Sequence, residues 1–312
     1  VATRSYRVFK AWDPAHALEH DAIAIGAGVD AIELHAAAQF TDLRDVLVFG
    51  KHGRFMPGSA DAEGCTAFAL PHLKASGSGP CLGQTWDLHP DDLPYVAVVE
   101  RYPENGPSSC SLSLMGFPAL IGLNGHGLYV GTTNIKTHDV RPGVGYLNLI
   151  QAMLACENLP EAVRLLQAAP RCAAHTFWLG DPKGAENIEC SPEHFSMRPL
   201  GDQALVQTNH CLNLELKAVE AQPAGASSLK RLSRISEILK HPPGSLEGLK
   251  QMLADRRDGP LSISRWPEDG ESISTNACCI GEPGLLRFHA CRGPADRGQW
   301  FTFELNPPRS PV

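Results

Sequence analysis

Residues 63–70, EGCTAFAL, place a cysteine between a glycine and a threonine at the head of a short apolar run. Such a thiol is either a small buried side chain or a nucleophile that attacks a carbonyl carbon. The chain has ten cysteines and no C-x-x-C pair, so the sequence favours buried, reduced thiols for most of them. Because no thiols or histidines cluster at short spacing, we expect no metal site and no cofactor. Other residues must therefore decide the role of Cys65.

The composition argues against several classes of function. The 312 residues are 43% hydrophobic and 20% charged, which is typical of a soluble globular protein. A net charge of −7 disfavours a nucleic-acid or anionic-membrane partner, since both need a basic face. The basic cluster Lys230, Arg231 and Arg234 falls within one helical pattern, and we interpret it as a solvent-exposed face.

The chain carries no obvious targeting or membrane segment. No apolar run reaches the roughly 18–20 residues that span a bilayer. No signal peptide is recognisable at the start, which predicts a cytoplasmic protein. The first residue is Val and not Met, so a removed leader stays open.

The elements that must position Cys65 come in blocks. Residues 1–64 read as a short N-terminal strand, then helices, then a polar loop that leads to the cysteine. Strand patterns follow, interrupted by helix pairs at 146–169 and 227–255, and Asn124-Gly125 predicts a hairpin. Because strands and helices do not alternate singly, the order favours antiparallel sheets with helices outside, an α+β fold.

Four short segments follow one another along the chain: GCTAF at 64–68, GQTWD at 83–87, TNHCL at 208–212 and SISRWPEDGES at 262–272. Together they resemble the acyl-coenzyme A:6-aminopenicillanic acid acyltransferase family, a branch of the N-terminal-nucleophile hydrolases. The resemblance extends over most of residues 60–305. Any one segment would be a weak signal, whereas the ordered set is specific. The resemblance implies a four-layer αββα sandwich of two antiparallel sheets flanked by helices.

The resemblance also implies an inactive precursor, or zymogen, that cuts itself between Gly64 and Cys65. The Cys65 thiol would attack the Gly64 carbonyl and form a thioester intermediate that water hydrolyses. A mostly helical pro-segment, 1–64, and a catalytic part, 65–312, would stay associated as one domain. Gly64 has no side chain to crowd its carbonyl. The freed amine, with a reference pKa of about 8, is a base beside its own thiol.

Supporting residues are assigned by the same motifs. Asp87 would orient the amine or thiol of Cys65, and Asn209 would donate to the oxyanion. Arg265 would favour the thiolate, because a nearby cation lowers a thiol pKa. Ser272 would be a hydrogen-bonding partner near the nucleophile.

Substrate contacts are expected from Thr66, Phe68, Trp86 and Asn134. The hairpin residues Asn124 and Gly127 are interpreted as structural. The chain departs from the family in a shorter segment before the nucleophile and in Ala67, where many members have a second hydroxyl residue.

His210 offers an alternative nucleophilic pair, a cysteine activated by a histidine as in thiol proteases. It directly follows Asn209 at a strand end. Adjacent residues of a strand project to opposite faces, so the two cannot both point at Cys65. The motif set favours Asn209.

These features predict a cysteine amidohydrolase that cleaves small N-acyl compounds through an acyl-enzyme on Cys65. An acyltransferase differs only in that an amine, and not water, reaches the acyl-enzyme, and no motif separates the two. A non-catalytic binding protein is the other alternative, but the intact set of Cys65, Asp87, Asn209 and Arg265 speaks against it. The acyl group and the amine are not identified, and a homodimer stays open.

Overall fold

Two antiparallel sheets form the centre of the molecule, with helices against the outer face of each. The computed structural model describes residues 1–51, 64–73 and 79–306. Within these residues the layers follow the order helices, sheet, sheet, helices. This arrangement confirms the four-layer αββα sandwich.

The first sheet carries the nucleophile candidate and has six strands within the described residues. In spatial order they are β10 (Leu205–Gln207), β1 (Gly64–Leu70), β2 (Cys81–Leu88), β11 (Ser274–Glu282), β12 (Arg287–Arg292) and β13 (Trp300–Glu304). On β2, Trp86 lies opposite Cys65, and Asp87 lies opposite both Gly64 and Thr275. The registers therefore gather these residues at one end of three neighbouring strands.

The second sheet has seven described strands that neighbour one another in chain order. They are β3 (Val96–Arg101), β4 (Ser109–Leu114), β5 (Ile121–Asn124), β6 (Tyr129–Asn134), β7 (His175–Asp181), β8 (Gly184–Cys190) and β9 (Phe195–Pro199). The hairpin of β5 and β6 is the one predicted from Asn124-Gly125. Asn124 is structural, since its amide donates to the carbonyls of Leu154 at 3.0 Å and Cys156 at 2.7 Å.

Nine α-helices complete the described residues. They are α1 (Ala2–Trp12), α2 (Pro14–Ala27), α3 (Ala31–Ala38), α4 (Phe40–Phe49), α5 (Tyr146–Met153), α6 (Leu159–Ala168), α7 (Leu214–Ala218), α8 (Ala226–Ile238) and α9 (Leu246–Leu253). No helix of this part of the chain is long and apolar enough to cross a membrane.

The N-terminal residues form a helix, so the predicted short strand is wrong. Tyr6 and Val8 flank Arg7 in an alternating pattern that suggests a strand. The buried residues are instead Ser5, Tyr6 and Phe9, which share one face of α1. The polar loop predicted before Cys65 lies largely outside the described residues.

The side chains on the two faces of strand β1 belong to two different hydrophobic cores. Cys65, Ala67 and Ala69 belong to the core between the sheets. Phe68 and Leu70 belong to the core beneath α8 and α9. This is the two-residue period of a strand, and it directs the Cys65 side chain between the two sheets.

Gln84 fastens the two sheets together. Its Nε2 donates to the Thr132 carbonyl at 2.8 Å, and its Oε1 accepts the Thr132 N–H at 2.9 Å. The side chain thus pairs with β6 as a strand backbone would. Gly131 makes room for it, because a Cβ there would lie 2.5 Å from Gln84 Oε1. The glutamine of GQTWD therefore has a structural role.

The N-terminal helices dock on the rest of the molecule through buried polar contacts. Asp42 of α4 accepts from the Tyr146 N–H at 3.0 Å and pairs with His175 Nε2 at 2.7 Å. Ser5 Oγ donates to the Gly143 carbonyl at 2.7 Å. These contacts join residues that precede Cys65 to residues that follow it. The division into parts 1–64 and 65–312 stays a prediction.

Candidate active site

Cys65 is the second residue of β1 and is 5% exposed. Its backbone N–H donates to Asn209 Oδ1 at 2.8 Å. The side chain lines a small space that we call the Cys65 hollow, shared with Trp86, Asn134 and His175. The Cys65 thiol is thus enclosed, and the backbone nitrogen of the same residue is hydrogen-bonded to the Asn209 side chain.

Asn209 follows β10 in a turn fixed by α8, where its N–H donates to Ser228 Oγ at 2.9 Å. Its Oδ1 accepts from Cys65 and from Arg231 Nη2, the latter at 2.9 Å, and its Nδ2 donates to the Asn134 carbonyl at 3.1 Å. Both groups that face Oδ1 can only donate, so the amide orientation is determined. The predicted oxyanion donor thus presents its oxygen to the Cys65 nitrogen, and one hydrogen of Nδ2 remains for an oxyanion.

Arg231 is buried, so the interpretation of its cluster as a solvent-exposed face is wrong for this residue. It is 2% exposed, and its Nη1 donates to the Cys65 carbonyl and, at 3.1 Å, to Thr66 Oγ1. Burial lowers its pKa to about 10. Ser228, Arg231 and Ile235 form one buried stripe of α8, and this helical spacing is a signal that the sequence did offer.

The other members of the cluster lie nearer the surface. Lys230 is exposed. Arg234 is partly exposed and pairs with Asp255 at 2.6 Å. The prediction of a solvated face holds for these two residues.

Asp87 is fully buried beside the Gly64–Cys65 bond. Its Oδ1 accepts from Thr275 Oγ1 at 2.8 Å, and its Oδ2 has no hydrogen-bond partner within the described residues. A Cβ on Gly64 would lie 2.9 Å from this Oδ2 and 3.0 Å from Arg265 Nη1. Burial raises the Asp87 pKa, while Arg265 and Arg231 act in the opposite direction.

Arg265 is held by two residues that the sequence analysis missed. Its Nη2 donates to Ser227 Oγ at 2.6 Å, and its backbone N–H donates to Thr275 Oγ1 at 2.9 Å. Ser227 Oγ also accepts from Arg231 Nε at 3.1 Å. Ser227 therefore joins the two arginines, and Thr275 joins Arg265 to Asp87.

The remaining predicted residues are only partly brought together. Trp86 and Asn134 line the Cys65 hollow. Ser272 is exposed at a cavity rim and not against the thiol. Thr66 and Phe68 lie on the opposite face of β1, Thr66 against Arg231 and Phe68 in the core beneath α8. The alternation of strand side chains therefore takes the last two away from any substrate beside Cys65.

The geometry does not favour the alternative Cys–His pair. His210 Nδ1 lies 2.8 Å from Ser228 Oγ, in a buried network on the far side of Asn209. Burial and the Arg231 charge lower the His210 pKa. The histidine that lines the Cys65 hollow is His175, which pairs with Asp42, and no motif indicated it.

Two larger cavities have lining residues in common with the Cys65 hollow. The apolar cavity, about 530 Å³, is lined by Ala37, Ala38 and Phe40 of the N-terminal helices and by Trp86, Leu120 and Leu147. The polar cavity, about 230 Å³, is lined by Asn134, Asn209, Arg231, Arg265, Glu271 and Ser272. The hollow shares Trp86 with the first and Asn134 with the second. The hollow therefore has a mainly apolar cavity on the side of Trp86 and a polar cavity on the side of Asn134.

The other thiols resemble ordinary core side chains. All ten cysteines are buried and unbridged. Burial raises the pKa of Cys110, Cys156 and Cys190 to about 12. Among the described residues, no group of three or more His, Cys, Asp or Glu side chains could hold a metal ion.

Comparison with known proteins gives a consistent family. The family described as acyl-coenzyme A:6-aminopenicillanic acid acyl-transferase matches residues 74–282, a stretch that begins after β1. The 40 kDa form of acyl-coenzyme A:6-aminopenicillanic-acid-acyltransferase from Emericella nidulans is 24% identical over 237 residues. That alignment covers 74% of this chain and 65% of the relative, so the chain spans about two thirds of the relative's length.

Solved structures support the fold. Penicillin V acylase from Agrobacterium tumefaciens superposes with a TM-score of 0.52 at 16% identity, over 77% of this chain and 86% of that one. A Caenorhabditis elegans N-acylethanolamine-hydrolyzing acid amidase ortholog superposes with a TM-score of 0.51 at 14% identity, over 77% and 99%. With the family match over residues 74–282, the chain belongs to the acyl-coenzyme A:6-aminopenicillanic acid acyl-transferase family.

Proposed function

We propose that the protein is a self-processing cysteine amidohydrolase that cuts its own Gly64–Cys65 bond and then cleaves small N-acyl compounds. The observation that carries the proposal is the set of polar groups gathered at this one peptide bond. Asp87 Oδ2 and Arg265 Nη1 crowd Gly64, and Asn209 Oδ1 accepts the Cys65 N–H. Buried ionisable and polar groups gathered around one peptide bond are more typical of a reactive site than of an ordinary peptide bond.

In the first reaction the Cys65 sulfur attacks the Gly64 carbonyl carbon. The thiol proton passes to Asp87, a carboxylate that lines the Cys65 hollow with the thiol and whose pKa burial raises. The C–N bond breaks, the Cys65 nitrogen takes up the proton, and a thioester joins Gly64 to the sulfur. Water then hydrolyses the thioester, which leaves a Gly64 carboxylate, a free Cys65 thiol and a free amine.

In the second reaction the freed amine is the base. Its nitrogen keeps Asn209 Oδ1 as acceptor, so its lone pair is available for the thiol proton. The thiolate attacks the amide carbonyl of a substrate, the leaving amine takes the proton, and an acyl-enzyme forms. Water releases the acid and restores the thiol.

The substrate class is supported by the two cavities. The apolar cavity of about 530 Å³ suits an apolar acyl group, and the polar cavity of about 230 Å³ suits the amine part. The two solved relatives are named for cleavage of penicillin V and of N-acylethanolamines. Both names fit an amide with an acyl group on one side.

An acyltransferase is the second candidate, because the family and the curated relative are named for acyl transfer from coenzyme A. The polar cavity shares Asn134 with the Cys65 hollow and could admit an amine in place of water. Product analysis with and without added amine separates the two. Transfer predicts that the amine captures the acyl group at the expense of the free acid.

The deciding experiment is the intact mass of the protein under denaturing conditions. We expect two pieces split between Gly64 and Cys65, and a single chain of 33.6 kDa for Cys65→Ala. Cys156→Ala is the matched control, since it removes a buried thiol distant from the site and should leave both pieces. A single uncut chain for the parent protein would refute self-processing.

The cleaved protein is then tested with N-acyl amines of increasing acyl length, and release of the amine is measured. We expect activity that requires Cys65 and favours apolar acyl groups. A cleaved protein that releases no amine from any member of the series would refute the amidohydrolase.

A further inference from the structure

Arg231, the buried arginine of α8, makes four hydrogen bonds to Cys65 and its neighbours. Arg231 donates to the Cys65 carbonyl, to Thr66 Oγ1 at 3.1 Å, to Asn209 Oδ1 at 2.9 Å and to Ser227 Oγ at 3.1 Å. These bonds use all three nitrogens of a planar, rigid group. The Arg231 side chain therefore has one fixed position, and it in turn fixes the positions of the groups that accept its hydrogen bonds.

The charges around Cys65 do not balance within the protein core. Among the described residues, Asp87 is the buried carboxylate whose charge acts on Arg231, and Arg265 is a second cation beside it. His210 faces Arg231 as well, but its lowered pKa keeps it neutral near pH 7. Two cations and one anion leave one positive charge in excess.

Further charged groups lie on the walls of the polar cavity. Lys136, Glu220 and Glu271 line it, and Glu220 Oε1 already accepts the Cys211 N–H at 2.7 Å. Glu271 is exposed to solvent, which screens its charge. Arg231 itself contacts the Cys65 carbonyl, and its charge interacts with that of Cys65.

We propose that Arg231 is a positioning residue for the nucleophile, with two separable effects. The donors of its guanidinium fork hold the Asn209 amide so that the amide oxygen accepts the Cys65 N–H. Its charge stabilises the Cys65 thiolate. This inference rests on the proposed function for its purpose. The thiolate forms when the thiol proton moves to Asp87 before self-cleavage, or to the freed amine afterwards.

The amide orientation matters because of the lone pair. A nitrogen that donates to Asn209 Oδ1 keeps its lone pair for the thiol proton. With the amide reversed, Asn209 Nδ2 would donate to that lone pair and occupy the base. Arg231 Nη2 excludes the reversed amide, since two donors would then face each other.

The test measures alkylation of Cys65 by iodoacetamide as a function of pH, with the modified residue located by mass spectrometry. The other nine thiols are buried, and those with a pKa near 12 serve as unreactive references. Self-cleavage is followed separately by intact mass. The proteins compared are the parent, Arg231→Gln, Arg231→Lys and the control Arg234→Gln on the same helix.

Arg231→Gln should raise the inflection of the alkylation profile by roughly one to three pH units, because the favourable charge is lost. Arg231→Lys should keep the inflection and slow self-cleavage about tenfold, because a point charge replaces the fork. Arg234→Gln, which affects only pairs with Asp255 and Glu237, should behave as the parent.

An unchanged profile for Arg231→Gln would overturn the charge effect, and a parent-like cleavage rate for Arg231→Lys would overturn the positioning effect. If Arg231→Gln does not fold, the parent decides, since an inflection above the ordinary thiol pKa of about 8.5 overturns the charge effect. The proposed function fails separately: a parent that never cleaves but shows the shifted Arg231→Gln profile loses self-processing and keeps this inference.

Discussion

Adding one methyl group at Gly64 directly tests the crowding around the bond that we propose is cut. The new Cβ would lie 2.9 Å from Asp87 Oδ2 and 3.0 Å from Arg265 Nη1. Neither neighbour can swing aside at low cost, because Thr275 holds Asp87 at 2.8 Å and Ser227 holds Arg265 at 2.6 Å. Overpacking of this kind costs about 1–3 kcal/mol.

The cost is measured in a Cys65→Ala background, where the chain stays whole. Urea unfolding should give a free energy lower by about 1–3 kcal/mol for the added Gly64→Ala. In the protein that keeps Cys65, the same change should slow self-cleavage about tenfold. Misalignment of Asp87 that raises the activation free energy by about 1.4 kcal/mol lowers the rate by a factor of ten. Gly201→Ala is the control, because nothing lies within 4 Å of its Cβ, and it should change neither quantity by much.

Two results would refute this reasoning. Unchanged stability would mean that Asp87 and Arg265 do not press against Gly64. A lower stability with an unchanged cleavage rate would mean that the alignment of Asp87 does not matter to the reaction, and its role as proton acceptor would be lost.

Three further predictions concern the scaffold. Asp42→Ala removes the acceptor of His175 Nε2 and should lower the unfolding free energy by about 1–3 kcal/mol in urea, so an unchanged midpoint would contradict a structural role. Gln84→Leu leaves the Thr132 N–H and carbonyl unpaired and should cost about 2–4 kcal/mol in the same assay; a loss under 1 kcal/mol would argue against the fastening role. Burial lowers the His35 pKa to about 4, below the unfolded value of about 6.5, so stability present above pH 6.5 is lost as the pH falls toward 4, by up to about 3 kcal/mol. His35→Gln should flatten that part of the pH dependence, and an identical slope would assign it to other groups.

The residues around Cys65 show what the sequence could predict. Asp87 and Asn209 lie at strand ends, and the backbone of Arg265 bonds to Thr275 at the start of β11, where the topology brings distant motifs together. Arg231 was missed because a helix with three basic residues resembles a surface helix. Its burial depends on acceptors from β1 and from the Asn209 turn, which no local pattern reveals.

Two other differences have equally physical causes. Thr66 and Phe68 are close to Cys65 in sequence, but alternation along β1 places them on the other face. His175 reaches the Cys65 hollow through the pairing of β7 with β6, opposite Asn134, and no spacing in the sequence encodes that neighbour. Strand pairing within the sheets determines where these side chains lie, and that pairing depends on the whole fold.

The apolar cavity has walls from both sides of Cys65. Ala37 and Ala38 of its lining precede Cys65 in the chain, whereas Leu120 and Leu147 follow it. The proposed reactive groups Asp87, Asn209 and Arg265 also follow Cys65. In a chain cut as proposed, two polypeptides would share the walls of the acyl pocket, whereas one polypeptide would carry all the reactive groups. Substitutions in the first piece could then change its part of the pocket and leave the reactive groups unchanged.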